Sequence, residues 1–226
     1  MAASNALCRL PRHEPMRRNR TAAVPSTTAG FTMLEILVSI LVIALGLLGL
    51  AGLQTRMQQA EFESYQRAQA LVALYSMVDR VKVNRSTMRC FAITTDTAAG
   101  APYYGTGSSA LPACTVSASA ADNAMANTAL AEMDSLLKGS AEMKSGTAAG
   151  AIIGARGCVS YDSATELLDG ATPPAAIAGT GIYTAAVAWQ GLSATTVSAS
   201  NCAKNLYSAE TQRRVVSTTF RRANLK

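Results

Sequence analysis

The sequence predicts an α+β protein, in which a long N-terminal helix is laid against a C-terminal antiparallel sheet of three to five strands. Three patterns carry this expectation. Residues 36–53 are an apolar run with no charge and no proline. Residues 54–82 follow without Pro or Gly and set Leu71, Leu74, Val78 and Val81 at three- and four-residue spacing, which makes one face of an amphipathic helix. Residues 181–191 then alternate in the manner of a strand, with Tyr183, Ala185, Val187 and Trp189 on one face and Thr184, Ala186 and Ala188 on the other.

Ahead of the helix lies a basic tail. Residues 1–30 carry Arg9, Arg12, Arg17, Arg18 and Arg20 against Glu14, so most of the net charge of +6 sits there. The remainder is close to neutral, which argues against nucleic acid as a partner. The chain is 49% hydrophobic but only 5% aromatic, which excludes wholesale disorder and a large aromatic core. His13 is its single histidine, so histidine-based catalysis or metal binding by the rest of the chain is excluded.

The apolar run suits a membrane. Counted from Phe31 to Leu53 it holds one charge, Glu35. A helix of about 20 residues crosses a bilayer core of roughly 30 Å. The basic tail places the N-terminus in the cytoplasm and the C-terminal portion across the membrane. The run exceeds the h-region of a cleaved secretory signal. Continued through the amphipathic stretch, the helix reaches from about Phe31 to about Asn84, close to ~80 Å at 1.5 Å per residue.

Glu35 is the anomaly, because a carboxylate within an apolar segment is costly and is usually functional or partnered. Near the edge of the run it can also snorkel to the interface. It belongs to the string Gly30-Phe31-Thr32-Met33-Leu34-Glu35, followed at once by the apolar run. This string resembles the signal of type IV prepilins. In that family a basic leader ends in Gly, a prepilin peptidase cuts after it, the new N-terminal Phe is methylated, and the Glu is used in assembly. The resemblance thus implies a cleavage site at Gly30 and Phe31, N-methylation of Phe31, and Glu35 as the assembly carboxylate. Met16 offers a second start that leaves the motif intact.

The stretch Gly46-Leu47-Leu48-Gly49-Leu50-Ala51-Gly52-Leu53-Gln54 is similar to the PilV group of minor pilins, the type IV pilus modification proteins. Gly46, Gly49 and Gly52, spaced by three, lie roughly along one stripe and would let a neighbouring helix approach closely. They are also the glycines common in any membrane helix, and as weak helix formers they admit local melting. The sequence around 79–85 and the ending Trp189-Gln190-Gly191 resemble the same group.

Further along, Asp79, Arg80, Lys82 and Arg85 read as a solvated helix end whose basic residues favour the dipole. Residues 95–120, rich in Thr, Ala, Ser and Gly, read as loop. Residues 122–138 return to a helical period, with Ala126, Leu130, Met133 and Leu137 on one face and Gly139 as stop signal. Residues 158–161 are a short strand candidate and 171–181 a turn region. Residues 213–220 fit another strand, with Val216 and Phe220 on one side and Val215 on the other.

Cys8 falls in the tail, leaving Cys90, Cys114, Cys158 and Cys202 for disulfides in an oxidising compartment. The favoured pairs are Cys90 with Cys114, bracketing a loop, and Cys158 with Cys202, tying two strand regions. A four-cysteine zinc site lacks the close Cys-x-x-Cys pairs it needs.

No phosphate loop, HExxH or G-x-S-x-G motif is present. Asp162 and Glu166 have the spacing of one helix face, but acidic pairs near turns are usually solvated. The chain therefore reads as a non-enzyme with no cofactor, no metal and no small-molecule substrate.

Four regions result: 1–30 as leader, 31–54 as transmembrane or filament-core helix, 55–85 as its amphipathic continuation, and 86–226 as a periplasmic head. The resemblance implies a pilin-like fold, a role in priming pilus assembly or in the pilus tip, and twitching motility and adhesion through it. The partners it implies are other minor pilins, the major pilin, a large tip adhesin, the prepilin peptidase and the inner membrane. A minor pseudopilin of type II secretion shares the same motif. An uncleaved single-pass sensor or binding protein is the alternative from another class.

Overall fold

The computed structural model describes residues 30–117, 119–139, 143–144, 147–148 and 152–223, the side chains of 143–144 and 147–148 excepted. The expected leader, with Cys8 and His13, lies outside the described residues, save for Gly30. The chain divides into two compact units, one up to Gly49 and one from Leu50 onward. A single helix, α1 (Met33–Val83), supplies residues to both.

In the first unit every residue from Gly30 to Gly49 is exposed. This part of α1 belongs to the one helix among the described residues that is long and apolar enough to cross a membrane, with a mean hydropathy of 2.8 over an 18-residue window.

In the second unit α1 buries Gln66, Ala70, Ala73, Leu74, Met77, Val78 and Val81. Their three- and four-residue steps form one stripe. Each large apolar side chain on it contributes about 1.5–3 kcal/mol when fully buried, an upper figure given a compact unfolded chain. Tyr75 is 61% exposed. One position on from Leu74 it is turned about 100° away around the helix. The helix ends where the Asn84 side chain donates to the Arg80 carbonyl at 2.8 Å, with Arg80 and Lys82 in the last turn complementing the dipole.

The second helix, α2 (Ala120–Leu137), starts at Ser119, whose hydroxyl accepts the Asp122 N–H at 3.2 Å. It buries Ala126, Leu130, Met133 and Leu137, the four positions the periodicity picks out. Gly139 follows with φ 76°, and its N–H donates to the Leu136 carbonyl at 3.0 Å, the glycine stop of a helix C-terminus.

Among the described residues six strands form two antiparallel sheets. Strands β1 (Tyr104–Gly105), β4 (Arg156–Asp162), β5 (Ile182–Gln190) and β6 (Arg213–Arg221) form the main sheet in the order β1-β4-β5-β6. Strands β2 (Met143–Lys144) and β3 (Thr147–Ala148) pair with each other. In the main sheet Cys158 lies opposite Ala186, and Val187 opposite Val216. The 158–161 strand candidate is longer than expected at both ends, because β5 offers partners from Ile182 to Ala188.

One sheet face packs on both helices. Val159, Tyr183, Ala185, Val187 and Trp189 join the α1 and α2 stripes in a single core. Gly157 permits the approach, since a Cβ there would stand 2.6 Å from Leu137 Cδ1 and 2.8 Å from Met77 Cε. The opposite face is also covered: Cys158, Ala186, Ala188, Cys202 and Ala203 form a second, smaller cluster. Two loops lock together beside it. Ala203 N–H donates to the Gly100 carbonyl at 3.2 Å, and Asn201 Nδ2 donates to the Thr97 carbonyl at 3.2 Å. Gly100 is obligatory there, with φ 67° and the position of its missing Cβ only 1.8 Å from the Asn201 carbonyl oxygen.

Candidate functional site

The motif residues stand at the start of α1. Gly30 and Phe31 precede the helix, and Phe31 is 79% exposed. Thr32 caps it: its hydroxyl accepts the Glu35 N–H at 3.2 Å, and its carbonyl accepts from Glu35 at 3.0 Å and Ile36 at 3.3 Å. Glu35 is the acidic residue of the first turn. Thr32 and Glu35 thus have the Thr-x-x-Glu spacing of a helix N-terminus, where a carboxylate is favoured by the dipole. This local role is legible in the sequence and adds to the expected assembly role. Among the described residues Glu35 has no ion-pair partner.

Gly46, Gly49 and Gly52 have nothing within 4 Å of where a Cβ would stand. Among the described residues they serve no packing, which leaves their flanks open to lipid or to another helix.

Glu63 of α1, which the sequence does not mark out, is a hub of the second unit. Its Oε1 accepts the Leu192 N–H at 3.1 Å, the Ser193 N–H at 3.0 Å and the Ser193 hydroxyl at 2.9 Å. Arg214 of β6 completes it at 3.3 Å. Burial pushes the carboxyl up, but the Ser193 donors, the Arg214 charge and the Leu192 N–H together outweigh it and hold the group below its usual range. The clasp fixes α1 to the loop after β5 and to β6.

One turn on, Gln66 is fully buried, and neither end of its amide has a hydrogen-bond partner among the described residues. Buried amides are normally satisfied, so this is an energetic weak point in the α1 stripe.

The four cysteines form two disulfides, Cys90 with Cys114 and Cys158 with Cys202. The first joins the turn after α1 to the loop before α2. The second joins β4 to the loop before β6, beneath which Arg213 is buried. That guanidinium pairs with Glu210 at 2.8 Å and donates to the carbonyls of Ser200 at 2.6 Å and Cys202 at 3.1 Å.

Asp162 and Glu166 do not share a helix face. Asp162 ends β4 and caps a short 3₁₀ turn through the Ala164 N–H, and Glu166 follows that turn. Glu166 accepts from the Tyr161 hydroxyl and the Gly179 N–H. Both carboxylates are therefore committed to backbone and side-chain donors. Asp134 of α2 is likewise occupied, accepting from the Gly105 N–H and the Ser108 hydroxyl, each at 2.7 Å. Burial raises the Asp134 carboxyl, but Lys138, Gly105 and Ser108 outweigh it and hold the group below the usual range. Of the expected solvated helix end, Arg80 pairs with Glu132. No group of three His, Cys, Asp or Glu among the described residues is placed to hold a metal ion.

Comparison of the chain with family models, curated proteins and solved structures gives no match. The arrangement can anchor a disulfide-bonded head to an apolar helix, and it presents at the helix start a glycine, an aromatic residue and a carboxylate at fixed spacing.

Proposed function

We propose that the chain is a minor pilin of the type IV pilus, similar to the PilV group, with a pilin-like fold, and that it takes part in priming assembly or in the tip complex. The observation that carries this is the Gly30-Phe31 junction with Glu35 at fixed spacing, at the head of an uninterrupted apolar helix whose later turns bury against an α+β domain.

The chemistry supports the assignment. Cleavage after Gly30 leaves an ammonium on Phe31. In a low-dielectric helix bundle, Glu35 of one subunit neutralises the N-terminus of a neighbour. A carboxylate without a partner there is strongly penalised, so the pair sets register as well as energy. The open flanks of Gly46, Gly49 and Gly52 suit close helix approach. The two disulfides suit a head exported to an oxidising compartment.

A strain lacking the chain and complemented with Glu35→Gln tests this proposal. The expected result is protein retained in the inner membrane, absent from the sheared pilus fraction, with piliation and twitching reduced. Intact pili together with lost protein secretion would assign the chain to a type II secretion pseudopilus instead.

A further inference from the structure

A cluster of cations at the end of α1 has no part in the assembly chemistry. Arg85 and Arg89, from the segment after α1, and Arg222, from the residues after β6, line one cavity of about 170 Å³ with Ser86, Gly179 and Tyr183. At ~30 Å³ of liquid volume per water, it has room for one carboxylate- or phosphate-sized group with a few waters.

No carboxylate among the described residues lines this cavity. Two carboxylates of the surrounding segments accept from neighbouring donors: Asp122 from Ser86 at 2.9 Å and from Ser117 at 3.2 Å, and Glu166, which also lies in the field of Arg89, from Tyr161 and Gly179. Lys82, 5.6 Å from the Phe220 ring centroid, adds positive charge nearby, as does Arg221, which donates to the Thr165 carbonyl at 2.8 Å.

Most of each guanidinium remains available. Arg85 donates to the Ala223 carbonyl at 2.8 Å. Arg222 reaches the Arg85 carbonyl at 3.5 Å and the Ala178 carbonyl at 3.2 Å. Arg89 lies 5.7 Å from the Tyr161 ring centroid and makes no hydrogen bond from its guanidinium among the described residues.

Tyr183 is the independent observation. It is 0% exposed, and its hydroxyl is buried with no partner among the described residues. The ring is held between Tyr161, with centroids 4.6 Å apart, and Phe220, at 5.6 Å. Burial and then the Tyr161 neighbour push the phenol up to about 12, so it remains a proton donor at neutral pH, within the field of Arg222 and Arg89. A buried donor with no acceptor among the described residues is costly, and the three guanidinium groups outnumber Glu166, the carboxylate whose field Arg89 shares, so a bound anion supplies both an acceptor and further counter-charge.

We propose that this cavity is an oxyanion-binding site, taking one carboxylate or phosphate group between the guanidinium groups of Arg85, Arg89 and Arg222, with the Tyr183 hydroxyl as a further donor. Arginine suits this role because its planar fork matches both groups. The site stands independently of the pilin assignment.

Calorimetric titration of the full chain in detergent, at constant ionic strength with chloride, tests it. Inorganic phosphate and acetate are the two probes. Saturable one-to-one binding of either supports the proposal, and which one binds distinguishes a phosphate ligand from a carboxylate. Arg89 is exposed, so Arg89→Gln leaves the fold intact, and it weakens binding about tenfold or more. Tyr183→Phe weakens binding by about tenfold while keeping the ring stack. A purely structural tyrosine predicts unchanged affinity in that variant. No saturable binding of either probe, or binding unchanged in both variants, would overturn the site.

Discussion

At the scale of single residues, the second unit carries one defect and one clasp on the same helix. Gln66 occupies a stripe position with both amide ends buried and unpartnered, and leaving such a group unsatisfied costs about 1–3 kcal/mol. Gln66→Leu is therefore expected to raise stability by about that amount, read as a higher denaturation midpoint of the full chain in detergent; a lower midpoint would mean that the amide has a role the single chain does not display. Glu63 behaves oppositely. Its carboxyl is depressed in the folded state, so its contribution is fully present above its unfolded value of about 4.3 and fades as pH falls through the folded value. Glu63→Gln is expected to cost about 0.5–1 kcal/mol at neutral pH, a figure discounted for solvent screening. Thermal midpoints of the variant and the parent protein should converge as pH drops below about 4. A gap that persists undiminished at pH 3 would contradict this account of the clasp.

At the scale of elements, the sequence was informative wherever a period was long. The α1 and α2 stripes and the strands at 182–190 and 213–221 follow from side-chain spacing, since burial on one face leaves a 3.6- or two-residue signature. What escaped was set by contacts distant in sequence. Strand β1 is only two residues long, and its Gly105 N–H is held by Asp134 of α2. The second face of β5 is covered by the Cys202 loop, so Ala186 and Ala188 are buried where simple alternation expects an outward face. Nothing in the spacing of Glu63 and Gln66 separates them from other polar positions of a helix; only the loop after β5 and the packed sheet make one a hub and the other a defect. The disulfides follow elements in the same way. Cys158 and Cys202 close a loop with a sequence separation of 44, and constraining such a loop is worth about 4 kcal/mol in the chain-entropy model. The double variant Cys158→Ser with Cys202→Ser is expected to lower the denaturation midpoint substantially and to free Arg213 and the second cluster. An unchanged midpoint would show that the loop is held without the bond.

At the scale of the whole molecule, the proposed role rests on the N-terminal motif, whose residues are exposed in the single chain. Among the described residues Phe31 and Glu35 are exposed and nothing stands within 4 Å of a Cβ at the three glycines, and an assembly of helices is an environment that would give them packing partners. The Thr32 cap explains why the helix begins where it does, but it would serve any anchor equally well. Processing separates the two. Intact-mass analysis and N-terminal sequencing of the protein from membranes and from sheared filaments test the claim most directly. The expected result is a mature chain beginning at methylated Phe31, present in the sheared fraction. A chain still carrying residues 1–30, confined to membranes of cells with an active prepilin peptidase, would contradict it and point to an uncleaved, membrane-anchored binding protein.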